Sequence, residues 1–229
     1  MSDSPVLVAA AHGTRDAGGR TMIDLLRTEV ADRRQGLDVA EAYVDEDVQQ
    51  PGLTSVLADL PEAVVVPVLL SAGYHVHVDV TNAIAAADRP GVRAARPLGP
   101  DPVLAEVLAD RLTDAGAGGH AVVLAAAGSS DPRAATDVER MAELLTARLV
   151  RPVTAAYATA SRPTVAESVA ALHAAGERVA IASYLLAPGS FHDRLRTSGA
   201  EVVAAPLLPD ARIAELVLRR YDEALATGG

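Results

Sequence analysis

Val6-Leu7-Val8-Ala9-Ala10-Ala11-His12-Gly13-Thr14-Arg15-Asp16 is an apolar run that stops abruptly at a histidine. A glycine, a hydroxyl, a guanidinium and a carboxylate follow at once. An unbroken apolar run of this length suits a strand buried on both faces, as in a parallel sheet. In an open α/β sheet, ligands bind just beyond the C-terminal ends of the strands. The stretch therefore predicts a buried strand that delivers His12 to a functional edge.

The flanking sequence alternates in the same sense. Met22, Leu25, Leu26 and Val30 recur at helical spacing, which predicts a helix over about 18–34. A strand at Val39–Val44, an acidic loop Asp45–Gln50 and a helix opened by Pro51 come next. Ala63–Leu70 is the most apolar segment, and its Pro67 suggests an edge strand or a bulge near the strand's end. A loop Ser71–Tyr74, a helix over about 77–88, a short strand Val92–Ala95 and a helix Asp101–Thr113 complete this half.

Ala115-Gly116-Ala117-Gly118-Gly119 then breaks the pattern, which restarts with strands at 121–127, 152–158, 178–186 and 201–205 and helices between them. The restart is an internal repeat. Leu124-Ala125-Ala126-Ala127-Gly128-Ser129-Ser130-Asp131 mirrors the opening stretch. Pro97-Leu98-Gly99-Pro100-Asp101 mirrors Pro206-Leu207-Leu208-Pro209-Asp210. The expected division is 1–115 and 120–229, each part four β–α units. The fold class is α/β: two similar open parallel sheets facing each other across a cleft. A closed eight-unit barrel is disfavoured, because such barrels run to about 250 residues and the glycine-rich break falls at half length.

Composition bounds the chemistry. A net charge of −10 argues against nucleic acid as a partner. The chain has no cysteine, which excludes disulfides, thiolate metal sites and cysteine nucleophiles. The first residues carry no basic region ahead of a long apolar stretch, and no apolar run reaches the roughly 18 residues of a membrane span. The expectation is a cytoplasmic protein, away from membranes.

Imidazoles and carboxylates gather at one rim. His12 ends the first strand; Asp45, Glu46 and Asp47 follow the second; Gly73-Tyr74-His75-Val76-His77-Val78-Asp79 follows the third. In the second half His12 is matched by Ala127, and His75 by about Phe191. The second half keeps the scaffold and loses most titratable groups, so the site is asymmetric. Imidazole and carboxylate without thiolate suit a divalent first-row metal. Asp79 reads equally as a helix cap or as a partner that orients His75.

These residues resemble the class II tetrapyrrole chelatases of the sirohydrochlorin chelatase group. Ala11-His12-Gly13-Thr14-Arg15 matches the family's HG[ST]R opening, and Gly73-x-His75-x-x-x-Asp79 matches its G-x-H-x-x-x-D segment. The resemblance spans the whole chain and points to the longer, doubled form. It implies insertion of Fe²⁺ or Co²⁺ into sirohydrochlorin, for sirohaem or cobalamin biosynthesis. His12 and His75 then match the two metal-holding histidines, assisted by an acidic residue after the second strand. Asp45, Glu46 and Asp47 all stay open for that role. The metal is a substrate, with no permanently bound cofactor expected. Arg15, Thr14, Tyr74, Ser129 and Phe191 are the expected substrate contacts, with Arg194 or Arg196 as further partners for the macrocycle's carboxylates. The internal duplication is compatible with a monomer.

Two other functions are weighed. One is a metal or tetrapyrrole carrier without turnover. The other is histidine-phosphatase-type phosphoryl transfer through His12, whose motif places arginine immediately before the histidine; here that position is Ala11.

Overall fold

The computed structural model describes residues 4–73 and 75–227, and for residues 75–77 the backbone alone. The first half runs β1 (Val6–Ala11), α1 (Ala17–Arg33), β2 (Val39–Tyr43), α2 (Leu53–Ala58), β3 (Glu62–Pro67), a π-helix (His75–Val80), α3 (Thr81–Ala87), β4 (Gly91–Ala94) and α4 (Pro102–Asp114). The second runs β5 (Ala121–Ala126), α5 (Pro132–Leu149), β6 (Val153–Tyr157), α6 (Val165–Ala174), β7 (Val179–Tyr184), α7 (Ser190–Arg196), β8 (Val202–Val203) and α8 (Ala211–Ala226). The alternation expected from sequence is present throughout. Among the described residues no helix is long and apolar enough to cross a membrane.

The strands form two parallel four-stranded sheets of identical order, β2-β1-β3-β4 and β6-β5-β7-β8. The apolar run that opens the chain is an inner strand. Leu7, Val8 and Ala10 are wholly buried, as parallel pairing with helices on both faces requires. Val8, Ala10, Ala42 and Val65 pack one face against Leu53, Leu57, Val80 and Ala83 of α2, the π-helix and α3. Val123, Ala125, Ala156 and Ile181 do the same in the second sheet against Val165, Val169 and Leu195 of α6 and α7. Each fully buried Val, Leu or Ile contributes about 1.5–3 kcal/mol by leaving water.

β3 is an inner strand, which corrects the edge or bulge expected from Pro67. Its pairing with β4 ends at Val65↔Ala94, while Val68 N–H still donates to the carbonyl of Ala10 in β1, at 2.8 Å. Alternation along the strand turns the Pro67 nitrogen toward the β4 side, beyond that ladder's end. Ala95 N–H donates to the Val65 carbonyl at 2.8 Å, and the next bond of that ladder would come from residue 67, so Pro67 ends the β3–β4 pairing at that point. β8 is shorter than expected, two residues instead of five.

The compact units do not follow the repeat boundary at 115–120. One takes the chain up to Leu98 together with the segment from Ala211 onward; the other is Gly99–Asp210. Each repeat gives its last helix to the other unit. α4 buries Leu104, Val107, Leu108 and Leu112 within the unit of β5–β8. α8 packs on α1 and β3, with Ile213, Leu216, Val217 and Tyr221 buried. Tyr221 Oη donates to the Pro5 carbonyl at 2.6 Å, and Arg34 makes a two-pronged ion pair with Asp222 at 2.5 and 2.7 Å.

Two expectations follow for stability. Gly128 sits at φ +95°, and a Cβ there would collide with the Thr159 carbonyl oxygen. Gly128→Ala should cost at least about 3 kcal/mol in urea denaturation, whereas a Cβ at Gly36 meets nothing within 4 Å and Gly36→Ala should cost only the left-handed penalty of about 1–2 kcal/mol. His192 of α7 is 5% exposed, its Nε2 lying 3.3 Å from the Ala204 carbonyl. Burial pushes its pKa below the ordinary 6.5, with Arg196 adding to this and the Ala204 carbonyl and Asp193 opposing it. The folded state thus binds fewer protons than the unfolded one. The stabilisation is present above pH 6.5 and is lost as pH falls through the lower folded-state value. His192→Gln should show a shallower loss of unfolding free energy between pH 7.5 and about 5.5 than the parent chain.

Candidate active site

Adjacent parallel strands bring three segments to one edge of the first sheet. β1 ends at Ala11, in register with Tyr43 of β2, and Ala10 is in register with Pro67 of β3. His12 therefore leaves the sheet beside the Asp45–Asp47 loop and beside the segment leading to His75. The His12 side is exposed. Its carbonyl accepts from Asp45 N–H at 3.0 Å, so the histidine and the acidic loop are joined through the backbone.

The second repeat keeps this joint and discards the imidazole. Thr159 N–H donates to the Ala127 carbonyl at 2.9 Å, the same bond with alanine in the histidine's place. Gly13 and Gly128 both have positive φ, +101° and +95°, and both let the neighbouring loop return close to the turn. The glycine is scaffold in both halves, whereas the histidine is not needed to make the turn.

The hydroxyls have a local role as well. Thr14 Oγ1 accepts from Asp16 N–H and Ser129 Oγ from Asp131 N–H, both at 3.1 Å. Asp16 and Asp131 in turn cap α1 and α5, accepting from Gly19 and Arg133 N–H at 2.8 and 2.9 Å. Thr14 and Ser129 thus shape equivalent turns, each with its own hydroxyl proton left as a donor. Arg15 is exposed at the same turn.

The acidic loop separates its carboxylates. The Asp45 carbonyl accepts from Val48 and Gln49 N–H, both at 3.1 Å, which folds the loop back on itself. Asp47 is exposed. The Glu46 side chain lies over Gly52, where any Cβ would overlap it. Glu46 shares a hollow with Asp79, together with Thr54, Asn82 and the apolar Val44 and Leu53. The sequence left these three acids unranked; the fold turns Glu46 toward the segment that follows β3.

Gln49 and Gln50 are contributors that the sequence reading missed. Gln49 Oε1 accepts from Thr14 N–H at 3.1 Å, tying the acidic loop to the His12 turn. Gln50 donates to the Glu46 carbonyl at 2.8 Å and accepts from Gly52 N–H at 2.9 Å. No motif signals these amides, because their partners are backbone groups defined only by the folded loop.

After β3 the chain enters the π-helix at His75 and continues directly into α3. A π-helical turn inside a helix is frequent at functional sites. α3 is preceded by Val80 in helical geometry with no side-chain cap, so Asp79 does not cap it. Tyr74 lies outside the described residues, and the His75 and His77 side chains lie outside the described atoms. Among the described residues no three histidine or carboxylate groups come together as a metal cluster.

In the second unit, Phe191 is 39% exposed on α7, with the Arg194 guanidinium 5.9 Å from its ring centre. His192, next to it, points into the core. His120 is likewise buried, its Nδ1 3.1 Å from the Gly118 carbonyl. His173 is half-exposed and pairs with Glu201 at 3.3 Å.

Comparisons with known proteins agree with this architecture. SirB from Bacillus subtilis with Fe³⁺ shares 22% identity and superposes with a TM-score of 0.80, over 95% of this chain and 94% of that one. The sirohydrochlorin chelatase SirB from Bacillus subtilis subspecies spizizenii, in complex with cobalt, gives 19% identity and 0.74, over 95% and 94%. CbiX, described as the terminal enzyme for biosynthesis of siroheme in denitrifying bacteria, gives 18% identity and 0.71, over 96% and 99%. These identities establish a shared fold. No curated protein matches the sequence. The CbiX family matches it twice, over residues 6–115 and again over 121–224, in step with the two repeats. This chain, with one family unit in each half and the histidine turn kept in the first, belongs to the CbiX family.

Proposed function

We propose that the protein inserts Fe²⁺ or Co²⁺ into sirohydrochlorin, a step of sirohaem or cobalamin biosynthesis. The family match across both repeats carries this reading. The Fe³⁺ and cobalt named for the similar structures support an iron or cobalt ion as the second substrate.

In this reading His12 and His75 hold the incoming ion through the imidazole nitrogens, the commonest metal-ligating groups of proteins. Two imidazoles bind a first-row ion weakly enough to release it, where thiolates would retain it. Insertion replaces two pyrrole N–H protons with one divalent ion, so two protons must leave the macrocycle. Glu46 is the proposed third metal contact and the acceptor of one proton, the other passing to an imidazole of His12 or His75 as the ion leaves it; the position of Glu46 over Gly52, in the hollow shared with Asp79, supports it over Asp45 and Asp47. Arg15 supplies a planar fork for a peripheral carboxylate of the macrocycle. Thr14, Ser129 and Tyr74 are proposed as lesser contacts. Phe191 offers a flat apolar face for the ring, and Arg194 beside it a second carboxylate partner. A cytoplasmic setting and a monomer belong to the same proposal, supported by the cysteine-free composition and the internal duplication.

Anaerobic incubation with sirohydrochlorin and Fe²⁺ or Co²⁺, followed by absorption, should show many turnovers per chain. His12→Ala and His75→Ala should each lower kcat by about 100-fold or more while remaining folded, and Glu46→Gln by about tenfold or more. Full activity in both histidine variants would overturn the site. Stoichiometric metal binding without turnover would identify a carrier instead.

A further inference from the structure

Arg220 of α8 is wholly buried, although arginine is almost never so without fixed partners. Its Nε donates to the Pro97 carbonyl at 2.8 Å and an Nη to the Leu98 carbonyl at 2.7 Å. Its other Nη lies 3.5 Å from Glu223, whose carboxylate also takes two bonds from Arg96, at 2.9 and 3.2 Å. A rigid guanidinium fork on two successive carbonyls fixes the orientation of that peptide.

The fixed peptide leads to the site. Leu98 N–H donates to the Leu69 carbonyl at 3.0 Å, on the flank where Pro67 gives β3 no donor. On the other flank, Val68 N–H is held by Ala10 of β1, two positions before His12. The 68–69 segment is thus pinned between the strand that delivers His12 and a strap clamped by Arg220. From Leu69 the chain runs directly into the loop before His75.

The second unit holds a looser copy. Arg111 of α4 occupies the repeat position of Arg220 and donates to the Leu207 and Pro209 carbonyls at 3.3 and 2.6 Å. Its Nε is buried without a hydrogen-bond partner. Leu207 N–H meets the Leu185 carbonyl at 2.9 Å, and the chain beyond leads to Phe191. The tight, fully paired clamp lies in the compact unit that carries the histidine turn, and the loose one in the unit whose turn has alanine instead.

We propose that Arg220 is a positioning residue for metal insertion: by clamping the Pro97 and Leu98 carbonyls it fixes Leu69, and with it the entry of the chain into the helix that begins at His75. This rests on the chelatase reading for its catalytic consequence, but not for its structural one. The full chain is compared with Arg220→Lys, Arg220→Met and, as a matched control, Arg111→Lys. Lysine keeps the charge and reaches one carbonyl, so Arg220→Lys decides the matter if Arg220→Met fails to fold.

Amide hydrogen exchange over residues 68–80 should speed up by about fivefold or more in Arg220→Lys. Its kcat for metallation should fall on the order of tenfold or more, with KM for sirohydrochlorin changed less than about twofold, because the loss is one of geometry at the metal. Arg111→Lys should leave exchange over 68–80 and kcat near the parent values. Unchanged exchange over 68–80 in Arg220→Lys overturns the proposal, as does an equal fall of kcat in Arg111→Lys, which would mark a general stabilising role. If the parent chain does not metallate sirohydrochlorin, the chelatase reading fails, and the exchange comparison alone decides whether Arg220 positions the loop.

Discussion

Parallel pairing of β1 with both β2 and β3 is the constraint on which the site depends. Parallel strands all end at the same edge, so three segments far apart in sequence must leave the sheet side by side. His12, the acidic loop and the chain to His75 are neighbours for that reason alone. Val44 N–H to the Ala11 carbonyl extends the β1–β2 ladder past the sheet, and Asp45 N–H to the His12 carbonyl then ties the two loops together. Glycine at position 13 is what lets the chain turn away at that point.

Duplication separates scaffold from chemistry more cleanly than a single domain could. Both halves keep the strand order, the glycine turn, the hydroxyl that shapes it, the capping aspartate and the return bond from the second loop. Only one half keeps a histidine on that turn. The Ala127 turn folds with the same hydrogen bond, so the imidazole at His12 serves no folding purpose that alanine cannot. The freed half carries instead an exposed phenylalanine beside an arginine.

Exchange of the last helices gives each unit a boundary that the repeat does not have. α4 and α8 are amphipathic with broad apolar faces, and each buries that face in the unit whose first strands lie elsewhere in sequence. The polar part of the exchange is the arginine on each helix, aimed at backbone carbonyls of a proline-rich strap. Carbonyls of a strap cannot all find sheet partners, and a buried guanidinium satisfies two at once.

Much of this was legible in the sequence because periodicity and repetition are local. The unbroken apolar runs gave the buried parallel strands, the 3.6-residue spacing gave the helices, and the mirrored Pro-Leu-x-Pro-Asp segments gave the duplication. That His12 and the segment after β3 leave the same sheet edge was legible because parallel strands all end there. What the tertiary structure decided is whatever depends on partners distant in sequence. Pro67 fits an inner strand because it falls at the last residue of β3, where the β3–β4 ladder ends. Glu46 stands apart from Asp45 and Asp47 because Gly52 leaves room above it. His192 is core and Phe191 surface because one helical face packs on β7. The unit boundaries fall at Leu98 and Asp210, not at the glycine-rich linker, because burial of α4 and α8 follows the surface that fits them rather than the repeat that encodes them.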